Sequence, residues 1–334
     1  MAVTPEVWHP DKNPELTGKY AVNNYLKAVT EIGKGAGIGA EDVDLDSQGR
    51  IYGSFADGRI LRFERDGSNE IEFANTKGRP LGMEFDRKGN LIIADAKKGL
   101  LSVSPQGKLT VLAAESEGNR FCFTDDLDVA NDGKIYFSDA SDRYNIENYL
   151  IDLIEHTPNG KLLVYNPDDN TTKVLLSELY FANGVAVSPD ASFVLVVETS
   201  SYRIKKYWLK GEKQGTSEII IDNLPGFPDG ISSNGKGIFW LAIAYPRAIY
   251  LDRLADRPFI RKILLRLPDF LRLKPKNYGF VLGIDENGQV IYNLQDPTPE
   301  SFSPITSVEE VDGMLYLGSL TYDAIGKIKV PSSK

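Results

Sequence analysis

Hydrophobic and polar positions alternate with a period of two along most of this chain, in short runs broken by glycine turns. The clearest run is Thr124–Asp139, a short alternating strand, an Asn-Asp-Gly turn and a second strand rich in β-branched and aromatic residues. The same grammar recurs around Gly49, Gly89, Ala191, Gly237 and Gly313, giving six copies of one hairpin. A unit repeating about every 40–45 residues is the mark of a β-propeller blade. The pattern predicts an all-β, six-bladed β-propeller. Third strands are expected at Arg59–Phe63, Leu100–Val103, Lys161–Tyr165, Arg203–Leu209 and Val281–Asp285. Residues 1–24 read as an extended lead-in, and residues 25–334 as one propeller domain. Tyr25–Ile32 is expected to close the ring as a strand beside Ile325–Val330.

Turn positions are spaced by 40, 44, 58, 46 and 76 residues, and the two excesses locate two insertions. In the first, Asp142–His156, the residues Ile146, Tyr149, Leu150, Leu153 and Ile154 fall at helical spacing. The second, about 247–275, carries Leu251, Leu254, Ile260, Ile263, Leu264 and Leu267, broken into short helices by Pro258 and Pro268. Each follows the second strand of its hairpin. That strand runs back toward the level where the first strand began, so both helical insertions should cap one face of the propeller.

Eight residues before each turn position stand Glu41, Leu81, Asp125, Asn183, Asp229 and Ile305. Equivalent first-strand positions lie at one height around a propeller's channel. Three carboxylates and one amide should therefore converge at the channel mouth, on the capped face. Such a set repels itself without a cation, and calcium accepts these oxygens. Leu81, Ile305 and Thr306 would stand in the wall of the substrate pocket above the metal, roofed by Tyr149, Leu150 and Leu153, with His156 also lining it. Asp95 and Asp139, at one register in the second strands, read as structural hydrogen-bonding acids. The glycine-rich stretch Gly33–Gly39 is followed by a strand pattern and reads as a tight loop at the mouth, not a nucleotide cradle.

Three segments carry a family resemblance. Phe181–Asp190 (FANGVAVSPD), Val196–Arg203 (VVETSSYR) and Leu224–Ile231 (LPGFPDGI) resemble the strictosidine-synthase-like family. Its wider superfamily of six-bladed propellers includes gluconolactonases, paraoxonases and diisopropylfluorophosphatase. The resemblance implies a calcium ion at the channel mouth held by a Glu, Asn and Asp set, matched here by Glu41, Asn183 and Asp229. Asp125 stands where the family commonly has Asn, which makes the site more anionic. Strictosidine synthase uses a last-blade glutamate, and Thr306 occupies that place, which speaks against a condensing enzyme. Paraoxonase uses a histidine pair; this chain holds only His9 and His156. His156 ends the first helical insertion and reads as a helix C-terminal cap, with a general-base role as the alternative.

Charge and cysteine content narrow the picture. The chain of 334 residues has a net charge of −9, which argues against nucleic acid as a partner. The lone Cys122 excludes an intramolecular disulfide. A secretory or anchoring segment is not legible at the start, and a periplasmic or membrane-anchored location stays open should one have been removed. The second insertion is basic (Arg253, Arg257, Arg261, Lys262, Arg266, Arg272, Lys274), a composition that suits peripheral contact with anionic lipid, or else a solvated helix face. The expected function is a calcium-dependent hydrolase of lactones or related esters. Asp229 or Asp125 would be the base or nucleophile, acting on a small-molecule substrate. The alternative is a non-catalytic, calcium-bound propeller that binds a partner or a membrane, with a condensing enzyme of the strictosidine synthase type as the third reading.

Overall fold

A computed structural model describes residues 3–268 and 275–332. It contains six four-stranded antiparallel sheets arranged as a six-bladed propeller. Each of the six hairpins read from the sequence pairs as the two innermost strands of a blade. The pairs are Val43–Leu45 with Ile51–Ser54, Pro80–Phe85 with Leu91–Asp95, Thr124–Val129 with Ile135–Asp139, Ala182–Val187 with Phe193–Glu198, Gly226–Ser233 with Phe239–Pro246, and Ser307–Val311 with Met314–Gly318. The central strands are apolar on both faces because each blade is covered by a neighbour on either side. Phe193–Glu198 and Leu91–Asp95 are buried along their whole length.

The ring closes as anticipated, with one blade built from both chain ends. Thr30, Glu31 and Ile32 pair with Lys327, Gly326 and Ile325. The closing strand is shorter than expected. Tyr25–Ala28 forms a 3-10 turn whose Leu26 is buried in the apolar cluster of the last two blades.

The insertions are helical. The first folds as a 3-10 turn, Ile146–Asn148, running into α1 (Tyr149–Glu155). The second holds α2 (Ile249–Arg253) and α3 (Pro258–Arg266), with Pro258 in the first turn of α3 where its missing N–H costs nothing. Arg272 and Lys274 lie outside the described residues. α1 and α3 touch, and the Arg261 guanidinium donates to Ile154 O at 2.7 Å and to Glu6 O.

The lead-in is not loose. Glu6 N donates to Glu155 O at 2.9 Å and Trp8 N to Ala255 O at 3.3 Å. Arg247 then holds Asp11 O, and Asn223 holds Lys12 O, each at 2.9 Å. The N-terminal segment is thus a strap tying the two insertions to each other and to the fifth blade.

Candidate functional site at the channel mouth

In four blades the inner hairpin slips register at the position singled out by the repeat. The shifts fall between Pro80 and Met83, Thr124 and Leu127, Ala182 and Val185, and Pro228 and Ile231. They bracket Leu81, Asp125, Asn183 and Asp229. A bulge at this point breaks strict alternation and re-aims a side chain. It lets two consecutive residues, Asp125 and Asp126, both serve the axis. Glycines permit the crowding: a Cβ on Gly184 would stand 2.5 Å from Asp229 O, and one on Gly230 2.5 Å from Thr306 O.

Glu41, Asp125 and Asn183 are buried, at 8 %, 6 % and 7 % exposure, while Asp229 is half-buried. The four share one electrostatic neighbourhood: Asp229 acts on both Glu41 and Asp125, and the Asn183 side chain hydrogen-bonds Asp229. Burial pushes the Glu41 carboxyl well above the carboxylate range, and the charges of Asp229, Asp42 and Asp125 push it further. Burial likewise raises Asp125, helped by Asp229 and Asp139. Asp229 is pushed up to about 7 by burial, against opposing hydrogen bonds from the Asn183 side chain and the Gly230 N–H. Asp125 Oδ2 is buried without a hydrogen-bond partner.

One base stands among these acids. Arg79 is buried, and its Nη1 donates to Gly39 O at 3.1 Å and Pro80 O at 3.3 Å. Its charge opposes the rise of both Glu41 and Asp125. Counting one register position per blade missed it, because Arg79 sits two residues before Leu81. Gly39, with φ of 72°, makes room: a Cβ there would lie 2.5 Å from Leu320 O and 2.9 Å from the Arg79 guanidinium. The glycine-rich loop thus lies over the arginine.

The remaining predicted residues separate into two groups. Leu81 packs with Ala96, Phe123, Ala140 and Phe181, and Ile146, Tyr149, Leu153 and Leu320 close over them. α1 thus packs down onto the blades, and Leu81 lies buried in the core beneath it. The phenol of Tyr149 is raised by burial and by the charge of Asp229; Tyr245 is pushed up to about 12 by burial, with Tyr149 and Asp229 adding to it. Tyr245, unforeseen, is the penultimate residue of the strand Phe239–Pro246 that leads into the second insertion. Thr306 donates its hydroxyl to Glu41 O at 2.9 Å, stitching the last blade to the first beside the site.

Three expectations need correction. Leu150 is 47 % exposed on the outer side of α1 and does not roof the pocket. Ile305 is fully buried in the cluster around Trp240, a blade-core residue rather than pocket wall. His156 does end α1, in the left-handed conformation at φ 55°, but it is stacked between Trp8 at 3.9 Å and Tyr180 at 4.6 Å. Burial, with Arg261 and Arg203 nearby, drives its pKa down to about 3. A neutral, enclosed imidazole of this kind is a packing residue.

Asp95 and Asp139 play the structural part expected of them. Asp95 Oδ1 accepts from Arg79 N at 3.1 Å and Lys97 N at 2.9 Å, and Asp139 Oδ1 from Phe123 N at 2.8 Å. Each pins the start of its blade's first strand. Asp95 therefore also fixes the backbone from which Arg79 reaches the mouth.

A second tier of acids lines the channel below the mouth. Asp42, Asp44, Glu84, Asp126, Asp128 and Glu309 surround a cavity of about 90 Å³. Five of these six take a backbone N–H from a neighbouring blade. Asp42 accepts from Met83 and Asp126 from Val185 at 2.7 and 2.8 Å. Asp44 accepts from Phe85 and Asp128 from Val187 at 2.8 and 2.7 Å, and Glu84 from Val129 at 2.5 Å. This tier sews the blades together.

A cation fits the mouth by the chemistry of its donors, hard oxygens from three carboxylates and an amide, and by the orphaned Asp125 Oδ2. Among the described residues no three His, Cys, Asp or Glu side chains are assembled into a metal-ligand group.

Comparison with known proteins gives a consistent picture. The family model for strictosidine synthase matches residues 125–212, and that for the strictosidine synthase-like N-terminal region matches residues 18–63. The chain is 35 % identical to strictosidine synthase-like protein 3 of Arabidopsis thaliana over 323 residues, covering 88 % of this chain and 83 % of the relative. It is 35 % identical to the adipocyte plasma membrane-associated protein of Rattus norvegicus over 305 residues, covering 84 % and 81 %. Among solved structures, a gluconolactonase from Xanthomonas campestris superposes with a TM-score of 0.65 at 17 % identity, covering 98 % of each chain. A calcium-binding protein, regucalcin, from Agrobacterium tumefaciens superposes with a TM-score of 0.61 at 15 % identity, covering 90 % and 91 %. At these identities the structural likeness establishes the fold.

Proposed function

The chain belongs to the strictosidine synthase-like family, and from that premise we propose that it is a calcium-dependent hydrolase of lactones or related esters. The observation that carries this reading is the charge imbalance at the mouth, where three carboxylates and an amide face a single guanidinium in a largely buried setting. Burying that much uncompensated negative charge is costly, and a divalent cation removes the cost. The kinship in fold to a gluconolactonase and to a calcium-binding regucalcin supports the same reading.

Glu41, Asp125, Asn183 and Asp229 would hold the ion. Calcium, when bound, supplies Lewis acidity toward a substrate carbonyl oxygen. The chain's own residues do the rest. Asp229 is the least buried residue of the set, so its carboxylate is the one best placed to take a proton from an attacking water. Asp125, enclosed and without a hydrogen-bond donor, is the second carboxylate available as base or nucleophile. Tyr149 and Tyr245 stand near Asp229 and present phenols that orient a polar substrate end. Leu81, Phe123 and Phe181 are buried core beneath α1, and Leu153, packed on them, would be the apolar side chain nearest to an apolar substrate end.

The reading is tested by screening lactones and aryl esters with chelator-treated and calcium-reloaded protein. Turnover that follows calcium and is lost in Asp229→Ala with the fold intact is expected. Turnover that ignores the chelator, or survives that substitution, overturns it. The departure at Thr306 tells against the condensing reaction of strictosidine synthase, and a tryptamine–aldehyde assay is expected to be blank.

A further inference from the structure

The outer face of α3 has the opposite composition to the one an ordinary surface helix shows. Phe259 is 76 % exposed, the most exposed large hydrophobic side chain among the described residues, and Ile263, one turn on, is 46 % exposed. The inward face carries the buried Arg261, which holds Ile154 O and Glu6 O. The helix has turned a guanidinium in and a phenyl ring out. Helical spacing puts Lys262 and Arg266 on the same outer face as Phe259 and Ile263. Ile249, at 61 % exposure, and Tyr250 begin α2 in the same insertion, and Arg253 and Arg257 are also exposed.

The charge of this region runs against the rest of the molecule. Residues 247–268 hold six basic and two acidic side chains in a chain whose net charge is −9. Two of those bases, Arg247 and Arg261, are buried and committed to internal partners. Arg253, Arg257, Lys262 and Arg266 remain to face outward beside the bare apolar residues. Exposed aromatic and aliphatic side chains flanked by bases are complementary to an anionic bilayer surface: the rings enter the acyl boundary and the bases meet the headgroups. A protein partner would need matching pockets and matching acids. A lipid surface needs only the two properties this face shows. Among the described residues no helix is long and apolar enough to cross a membrane, so the contact is interfacial.

We infer that the α2–α3 insertion is a lipid-docking surface, with Phe259 and Ile263 as the inserting residues and Lys262 and Arg266 as headgroup contacts. It belongs to the cap over the channel mouth, so docking brings the site up to the interface where apolar esters partition. The inference stands whether or not the mouth is a hydrolase site, because lipid binding is read without turnover.

Co-sedimentation of the full chain with phosphatidylcholine vesicles, plain or doped with phosphatidylserine, tests it in chelator. Binding to the doped vesicles is expected to exceed that to plain ones by tenfold or more and to weaken with added salt. Phe259→Ser with Ile263→Ser should cut it by tenfold or more. Lys262→Ser with Arg266→Ser should remove the preference for the doped vesicles. Circular dichroism and melting of each variant distinguish a lost contact from a lost fold, since these exposed positions should leave both unchanged. Equal binding by the Phe259→Ser, Ile263→Ser variant overturns the inference. So does no binding to either vesicle, or light scattering that shows a dimer dispersed by the same substitutions.

Discussion

Glu41 and Asp42 are neighbours in sequence and both acidic, as are Asp125 and Asp126, yet each pair divides its labour. Asp42 and Asp126, in the channel, each accept the N–H of an adjacent blade's first strand, Met83 and Val185. Burial pushes all four carboxyls upward, and Glu41 and Asp125, at the mouth, are raised further by the charge of Asp229; the difference is that Asp125 Oδ2 has no donor at all. A satisfied buried carboxylate is architecture. One that takes no hydrogen bond from any neighbour, such as Asp125, is costly and fits a ligand or chemistry, whereas Asp95 still pins backbone N–H groups through its other oxygen. The difference between the two tiers lies in their partners, and residue type alone does not reveal it.

The sharpest way to break this division is at Asp229. Asp229→Ala should reduce calcium-dependent ester or lactone turnover by about 10²–10⁴-fold, the range for loss of a general base, with melting little changed. Turnover within a few-fold of the wild type would remove Asp229 from the chemistry.

A second comparison sets Asp126→Ala against Asp125→Ala in calcium-free buffer. The first strands the Val185 N–H and should cost about 1–3 kcal/mol in urea unfolding. The second removes a buried carboxyl whose Oδ2 has no donor and should be neutral or stabilising. Equal destabilisation by the two would erase the distinction between the tiers.

The channel tier also predicts a pH dependence. Asp44 is pushed up to about 7 by burial, against hydrogen bonds from Leu45 and Phe85, whereas in the unfolded chain it titrates near 3.9. Its raised value favours the folded state fully below about 3.9, and that contribution is lost as pH rises through about 7. Asp44→Asn keeps an acceptor for the Phe85 N–H and does not ionise. Relative to this variant, the wild type should lose on the order of 1 kcal/mol between pH 5 and 8. A constant difference across that range would contradict the assignment.

The smallest effect is expected at His156, which belongs to neither tier. Its depressed pKa of about 3 means that the stability it lends is present above about 6.5 and is lost as pH falls toward 3, where only the unfolded chain accepts the proton. His156→Phe preserves the stack on Trp8 and Tyr180. It should leave turnover within about twofold, and it should resist acid unfolding better than the wild type. A collapse of turnover would restore the histidine to the chemistry.

The division of the chain into blades was legible because alternation, glycine turns and repeat length all state the same structure. The mouth set was legible for a related reason: one register, counted in each blade, finds Glu41, Asp125, Asn183 and Asp229. What the count could not show were the bulges that let consecutive residues share the axis, and hence the tier of Asp42, Asp126 and their fellows. The signal was present as acids two apart, Asp42 with Asp44 and Asp126 with Asp128, a spacing that puts both on one side of a strand. Arg79 lay off the counted register. Leu150 and Leu153 differ by less than one helical turn, so helical spacing alone did not decide which of them faces the propeller; packing against Phe123 and Phe181 did. The strap through Trp8 depends on contacts far apart in the chain, such as Arg261 with Glu6, for which no local pattern exists.

The central claim is that the mouth is a cation-dependent site, and the most direct test is a calcium titration by calorimetry on chelator-stripped protein, with Asp229→Asn alongside. Saturable binding of one ion by the wild type, weakened at least tenfold in Asp229→Asn, is the predicted result. No binding by the wild type, or equal binding by both proteins, would mean that Arg79 alone balances the mouth and that the four oxygen-bearing side chains do not hold calcium.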